Sequence, residues 1–325
     1  MTIWSVLTQA FTKPSFVPEK ELPDLTGKVA LVTGASTGLG KVTAQELARK
    51  GAHVFCVGRT PEKTKAAIED IKKITGNEHV EFIQADLMDL KSVEAAADTF
   101  LSKNLPLHIL VNNAGIMAVP FELSKDQIES QFATNHFAHV VLTNKLLPLI
   151  IKSQPARIVN VSSFAHTFAP KEGVLMDELN DETKYDPWQR YGETKISNIY
   201  FTQVLQSKVE KLGGDRVYVN AVHPGIVTTE LTRNIAKPRS EVNGKIIQFA
   251  TIGPFNGALT QIYVAAHKDI EEKGFRGRYF VPYCSLASPS AIGKDIGVAQ
   301  KVWDWTETVL KEKFRKNWSW SEAGL

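Results

Sequence analysis

At 325 residues and 43% hydrophobic content, the chain can bury a large core without disulfide or metal staples. Its net charge of +3 is spread along the sequence with no basic block, which excludes an extended nucleic-acid surface. Cys56 and Cys284 are its two cysteines and lie far apart in sequence, which excludes a disulfide framework and suits a reducing, cytoplasmic setting. No apolar run approaches the roughly 18 residues that a transmembrane helix needs, and no metal ligation is expected.

Residues 1–27 read as an N-terminal extension, with Pro14, Pro18 and Pro23 keeping the approach to the first strand non-helical. The start lacks the basic head and long apolar core of a signal peptide. Ile3, Trp4, Leu7 and Phe11 share one helical face, expected to dock on the protein's own surface, with peripheral contact to a membrane as the alternative.

From Lys28 the pattern is strand, glycine turn, helix, strand. Lys28 to Thr33 is a short Val/Leu-rich run of the kind that fills a buried parallel strand. Gly34, Ala35, Ser36, Thr37, Gly38, Leu39 and Gly40 follow, then a helical pattern from Lys41 to Lys50 closed by Gly51, and a second strand from Ala52 to Val57. The glycines spell TGxxxGxG at the strand-to-helix turn, where a nucleotide pyrophosphate can lie on the N–H groups of a helix N-terminus. After the second strand, the acidic residue that would take a ribose 2′-hydroxyl is missing. Arg59 stands there instead, with Lys63 one turn into the next helix, a pair suited to a 2′-phosphate.

Val80 to Ala85 is a third strand ending in Asp86-Leu87, where the acid is expected to cap the next helix, to meet an adenine amino group, or both. A helix from Leu90 to Lys103 leads to a strand at Leu107–Val111 and then to Asn112-Asn113-Ala114-Gly115, small and amide residues that let a backbone come close to a ligand. Ser124 to Leu147 reads as one long helix, with the poor helix former Asn135 in its middle expected to distort it. A fifth strand, Arg157–Val161, ends in Ser162-Ser163. Residues 164–190 read as a loop, and Tyr191 is expected to open a helix that runs to about Lys211. Arg216–Val222 is a sixth strand closed by His223-Pro224-Gly225, and residues 226–256 read as a flap facing the ligand. A helix at Gly257–His267, a strand at Arg278–Val281 and a terminal helix at Ala299–Lys313 complete the series. The alternation implies a single doubly wound parallel α/β sheet of Rossmann type, covered by helices on both faces. The boundaries drawn are a nucleotide-binding catalytic domain at 28–285 and a C-terminal extension at 286–325.

Tyr191 and Lys195 are four apart on a helix and share a face. A phenol with a pKa near 10 is a poor acid or base at neutral pH, and a neighbouring ammonium is expected to lower it. In order, the chain shows TGxxxGxG, Asp86, NNAG, Asn135, strand-end serines, YxxxK and Pro-Gly followed by Thr. This series resembles the classical short-chain dehydrogenase/reductase family over about residues 25–285. RIVNVSSFAH, YGETKISNIYFTQ and HPGIVTTEL resemble most closely its retinol-dehydrogenase-like and WW-domain-oxidoreductase-like branch.

The resemblance implies roles at matching positions. Tyr191 is the general acid or base, Lys195 lowers its pKa and binds the nicotinamide ribose, Ser163 (or Ser162) holds the substrate oxygen, and Asn135 holds a relay water. Gly34, Ser36, Thr37, Gly38, Leu39 and Gly40 embrace the pyrophosphate, and Arg59 and Lys63 take the 2′-phosphate of NADP(H). Asp86 and Leu87 meet the adenine, Asn113, Ala114 and Gly115 the adenosine ribose region, and Pro224, Gly225, Val227 and Thr229 the nicotinamide side. The expected activity is NADP-dependent hydride transfer to or from a lipophilic aldehyde, ketone or alcohol. The apolar substrate character is drawn from Ile246, Ile247, Phe249, Ile252 and Phe255 in the flap. A non-catalytic NADP-binding sensor of the same fold is the competing reading. A monomer or a homodimer is expected, pairing in the second case through the helices at 124–147 and 191–211. The C-terminal tryptophans Trp303, Trp305, Trp318 and Trp320 are the candidate cover for that surface.

Overall fold

The computed structural model describes residues 14–227, 252–320 and 324. Ile3, Trp4, Leu7 and Phe11, most of the proposed flap with Ile246, Ile247 and Phe249, and Thr229 lie outside the described residues. Eight strands form one sheet in the order β3-β2-β1-β4-β5-β6-β7-β8. They are β1 (Val29–Thr33), β2 (His53–Gly58), β3 (Val80–Gln84), β4 (Ile109–Asn112), β5 (Ala156–Val161), β6 (Val217–Val222), β7 (Tyr279–Val281) and β8 (Ser285–Ala287). β1 is buried along its whole length, as its unbroken apolar run demands. The order reverses between β1 and β4, which places a crevice at the carboxyl ends of those two strands.

Helices α1 (Gly38–Arg49), α2 (Pro61–Thr75) and α3 (Leu90–Leu101) follow the first three strands. Helix α4 is composite: a turn at Ser130–Phe132, a π-helical turn at Ala133–Phe137, and a regular stretch at Ala138–Lys152. The later helices are α5 (Pro187–Lys211), α6 (Pro254–Ala266) and α7 (Ile296–Lys313). One apolar cluster lies under α3, α4, α5 and α7 and the other under α1, α2 and α6, so both faces of the sheet are covered. No helix among the described residues is long and apolar enough to cross a membrane.

Four local expectations are corrected. The helix read from Ser124 begins at Ser130, because residues 123–129 form an isolated bridge from Leu123 to Glu129 and the Glu129 carboxylate caps the backbone N–H groups of Gln131 and Phe132. Helix α5 opens at Pro187 rather than Tyr191, with Asp186 accepting from the N–H groups of Trp188 and Gln189; Pro at the first helical position needs no N–H partner. Asp89, not Asp86, caps α3, accepting from the N–H groups of Lys91 and Ser92. The sheet is not wholly parallel, since the short β8 turns back antiparallel on β7.

The C-terminal tryptophans are structural. Trp303 and Trp320 stack at 3.7 Å between ring centroids, and both stack on Phe201 of α5. Trp318 is fully buried against them. The terminal segment therefore packs on α5 around Phe201.

Candidate active site

The glycine turn is shaped for close approach. Gly34 and Gly38 have φ of +67° and +55°, in the left-handed region that favours glycine. A Cβ on Gly40 would collide with the Gly34 carbonyl and stand 2.6 Å from Asn113 Nδ2. Thr37 makes no side-chain cap at the start of α1, which leaves the helix N-terminus facing the crevice. The turn is braced from behind. Thr33 Oγ1 accepts from the N–H groups of Asn113 (2.9 Å) and Ala114 (3.0 Å), and Asn113 Nδ2 donates to the Thr33 carbonyl at 2.7 Å. Gln261 of α6, fully buried, donates to Thr43 Oγ1 of α1 at 2.6 Å and to Asn113 Oδ1 at 3.2 Å.

Beside this turn lies a cluster of buried polar groups. Asn135 sits in the π-helical turn, as its poor helix propensity suggested. Its Oδ1 accepts from the Ile116 N–H at 2.8 Å, and its Nδ2 donates to the Ile116 carbonyl at 2.9 Å and to Thr194 Oγ1 at 3.0 Å. A Cβ on Gly115 would stand 3.0 Å from Asn135 Oδ1 and 3.4 Å from Lys195 Nζ, so the NNAG turn, the π turn and α5 meet at that glycine. Lys195 is buried and donates to the Val161 carbonyl at 3.1 Å, with its Nζ 5.6 Å from the centre of the Tyr191 ring. The Ser163 side chain stands beside Tyr191 and acts to lower the pKa of its phenol.

A sequence model of the short chain dehydrogenase family matches residues 28–175. Retinol dehydrogenase 11 of Homo sapiens is 38% identical over 280 residues, 86% of this chain and 85% of that protein. The chloroplastic short-chain dehydrogenase TIC 32 B of Brassica napus is 36% identical over 317 residues, covering 94% and 98%. The chain belongs to the short-chain dehydrogenase/reductase family. Its branch is the retinol-dehydrogenase-like one, and it is an oxidoreductase of the class that acts on CH–OH and C=O groups. A solved structure from Mycobacterium paratuberculosis superposes with a TM-score of 0.71 at 32% identity, covering 91% of this chain and 97% of that one. A short chain dehydrogenase from Burkholderia cenocepacia in complex with NADP gives 0.61 at 26% identity, covering 79% and 97%.

In this short-chain dehydrogenase/reductase the two strand-end serines are distinguished by geometry. Ser162 is buried and its hydroxyl donates to the Lys195 carbonyl at 2.7 Å. Ser163 faces Tyr191 and caps the short helical turn at Phe164–Phe168, accepting from the Ala165 N–H at 3.1 Å. Gly192, next to Tyr191, lets that turn rest on α5: a Cβ there would lie 2.7 Å from the Ala165 carbonyl oxygen and 2.9 Å from the Ala169 nitrogen. Val227 and Leu39 converge on Gly257 of α6, whose Cβ would meet a methyl of each. Pro224 is buried, and Gly225, at φ +92°, turns the chain towards that point.

The remaining predicted contacts are spread along the crevice. Arg59 and Lys63 are exposed at the end of β2 and the start of α2, and neither pairs with a carboxylate among the described residues. Asp86 accepts from the Met88 N–H at 3.0 Å, and Leu87 packs against the core. Burial outweighs the lowering of the Tyr191 pKa expected from Lys195. Burial pushes the phenol up to about 12, opposed by the Ser163 hydrogen bond, while burial lowers Lys195 to about 8. Thr33 opens the TGxxxGxG motif, whereas Gln261 and the packing role of Gly192 escaped the sequence reading. The one available signal for Gln261 was a Thr-Gln pair in the mostly apolar GALTQIYVAA stretch of α6.

Proposed function

We propose that the protein is an NADP(H)-dependent oxidoreductase that interconverts lipophilic aldehydes or ketones and their alcohols, with Ser163, Tyr191, Lys195 and Asn135 as its working residues. The convergence of Lys195 and Asn135 on Gly115, beside the braced glycine turn, carries this reading. The cradle fits the cofactor: the left-handed Gly34 and Gly38, the crowding at Gly40 and the uncapped start of α1 together suit a pyrophosphate. Arg59 and Lys63 would take the 2′-phosphate, which agrees with the NADP held by the Burkholderia relative. Bound there, the dinucleotide supplies or accepts the hydride.

The chain's own groups handle the proton and the oxygen. Ser163 Oγ would donate to the substrate oxygen and hold it beside the Tyr191 hydroxyl, which gives up its proton as the carbonyl carbon is reduced. Lys195 then stabilises the phenolate through the ring it faces. Asn135 acts by fixing the π turn to Ile116 in the loop after β4 and to Thr194, since both its amide groups are occupied there.

An aromatic surface at the mouth supports an apolar substrate. Phe164 and Phe168 lie 6.0 Å apart and Phe168 and Trp188 6.4 Å apart, flanking Ser163 and Tyr191 in sequence, with Phe168 46% exposed. The relatives named retinol dehydrogenases, by that name, act on a lipophilic alcohol. Two unpaired cysteines suit a reducing compartment such as the cytoplasm. With α5 covered by the terminal tryptophans, a monomer is the oligomeric state proposed.

The test is NADPH oxidation over a panel of aldehydes and ketones of rising chain length. Tyr191→Phe should retain NADPH binding and lose turnover by two or more orders of magnitude. Parent-like turnover in that variant would refute the assignment.

A further inference from the structure

His166 is fully buried one turn beyond Ser163, and both of its ring nitrogens are committed. The Ser290 backbone N–H, which can only donate, points to His166 Nε2 at 3.1 Å. That nitrogen is therefore the acceptor, the ring proton sits on Nδ1, and Nδ1 donates to the Ser163 carbonyl at 2.7 Å. The Tyr279 hydroxyl approaches the same Nδ1 at 3.4 Å and its ring meets the imidazole edge to face.

Ser290 belongs to the segment after β8, and that segment is fastened to α5. Ser290 Oγ accepts from the Gly293 N–H at 3.3 Å, the Gly293 carbonyl accepts from Gln203 Nε2 at 3.0 Å, and the Ile292 carbonyl accepts from the Tyr200 hydroxyl at 3.0 Å. Gln203 and Tyr200 are on the helix that carries Tyr191 and Lys195. A closed circuit thus runs from Ser163 through His166 and Ser290 to α5 and back to Tyr191.

We infer that His166 and the Ser290 amide form a strut by which the C-terminal segment sets Ser163 against Tyr191, making His166 a positioning residue for the reaction. The inference rests on the proposed role of Ser163. The two ring nitrogens have separate tasks, so two conservative variants divide them. His166→Asn keeps a donor near the Nδ1 position for Ser163 and loses Ser290. His166→Gln keeps an acceptor near the Nε2 position and loses Ser163. Ser290→Pro removes the amide donor, whereas Ser290→Ala keeps it.

In the full chain, His166→Leu should lower kcat about 10-fold or more, because small misplacements of a reacting group are expensive. NADPH affinity, read by protein fluorescence quenching, should stay within twofold. His166→Asn should recover more of kcat than His166→Gln. Ser290→Pro should resemble His166→Leu, and Ser290→Ala, which keeps the amide donor and loses only the Oγ bond to Gly293, should fall between Ser290→Pro and the parent. Nitrogen-15 shifts of the parent's imidazole should show the Nδ1–H tautomer. An Nε2–H tautomer, or parent-like kcat in both His166→Leu and Ser290→Pro, overturns the strut. Full activity in Ser163→Ala would instead bring down the reading of the site while leaving the tautomer result to judge the hydrogen bonds.

Discussion

Glycine 192 offers the sharpest test of how the site is assembled. In an exposed helix interior, Gly→Ala stabilises by about 1 kcal/mol through backbone entropy alone. At position 192 the sign should reverse. The added methyl would stand 2.7 Å from the Ala165 carbonyl oxygen, 2.9 Å from the Ala169 nitrogen and 3.0 Å from the Phe168 carbonyl carbon. All three are backbone atoms, so no side chain can swing aside. Restoring ordinary contact requires the turn at Phe164–Phe168 and α5 to separate by roughly 0.5–1 Å. Overpacking of this kind costs about 1–3 kcal/mol, and the entropy gain offsets only part of it. The same displacement carries Ser163, which caps that turn, away from the Tyr191 hydroxyl, and about 1 Å there costs on the order of 100-fold in rate. Gly192→Ala should therefore unfold at lower urea and show a strongly reduced kcat with NADPH affinity kept. A variant more stable than the parent, with kcat within threefold, would refute the claim that the turn's seat on α5 sets the serine.

Other outcomes follow from the same geometry. Arg59→Ala should weaken NADPH binding about 10- to 100-fold, the range for hydrogen bonds to charged groups, and leave NADH binding nearly unchanged; equal effects in paired titrations would remove the 2′-phosphate assignment. Ser163→Ala should lose at least 100-fold in kcat, whereas Ser162→Ala should mainly lose stability, about 1 kcal/mol for its bond to the Lys195 carbonyl. Acid should destabilise the fold. Burial lowers His136 to about 4 and His139 and His223 to about 3, so these rings stay neutral while the unfolded chain takes up protons below its ordinary value of 6.5. Stability is then lost as pH falls, by about 2 kcal/mol per ring at pH 5, or about 6 kcal/mol together. Glu193 works the other way. Burial raises it from 4.5 to about 7, so the native state holds its proton and regains about 2 kcal/mol over the same interval. Urea midpoints at pH 7.5 and 5 should show a net fall, and Glu193→Gln should steepen it; a fall no steeper in that variant would contradict the assignment.

The nucleotide half of the site was readable because its signals are local. An unbroken apolar run makes a strand buried on both faces, and the glycines after it mark a backbone that must bend left-handed or come close to something, as Gly34, Gly38 and Gly40 do. Asn135 was readable for a related reason: its helix propensity conflicts with its surroundings, and a π turn resolves the conflict. The start of α5 was also written in the chain, since Asp186-Pro187 is a cap followed by a first-turn proline, but the YxxxK spacing drew the boundary to Tyr191 instead. The start of α4 was not written in this way. Ile128 and its neighbours keep helical spacing, and long-range bonds hold the segment out of the helix: Glu129 N–H and the Gln127 carbonyl to Asn180, Lys125 N–H to the Met88 carbonyl, and the bridge to Leu123. β8 is too short and exposed to leave a pattern. Gly192, His166 and Gln261 owe their roles to partners in distant parts of the sequence, and residue type alone cannot report such partners.

The electrostatics of Tyr191 and Lys195 bear on which proton the site is prepared to move. Their spacing suggested an ammonium that acidifies a phenol, yet burial shifts each group towards its neutral form, raising Tyr191 and lowering Lys195. A phenol at about 12 is fully protonated at pH 7, which is the state a general acid needs for carbonyl reduction. The base role in alcohol oxidation requires the phenolate, and its cost must be met by charge brought near the ring. Two groups on this chain lower that cost: Ser163, through its hydrogen bond, and Lys195, through its charge 5.6 Å from the ring centre. Because Lys195 is itself lowered to about 8, that help fades as pH rises through its own titration, just where deprotonation of the phenol would otherwise become easier. On the proposed reading, the rate of NADPH-driven reduction should stay flat across neutral pH, while oxidation should rise with pH and then flatten as Lys195 loses its charge; a reduction rate that rises across neutral pH would contradict it.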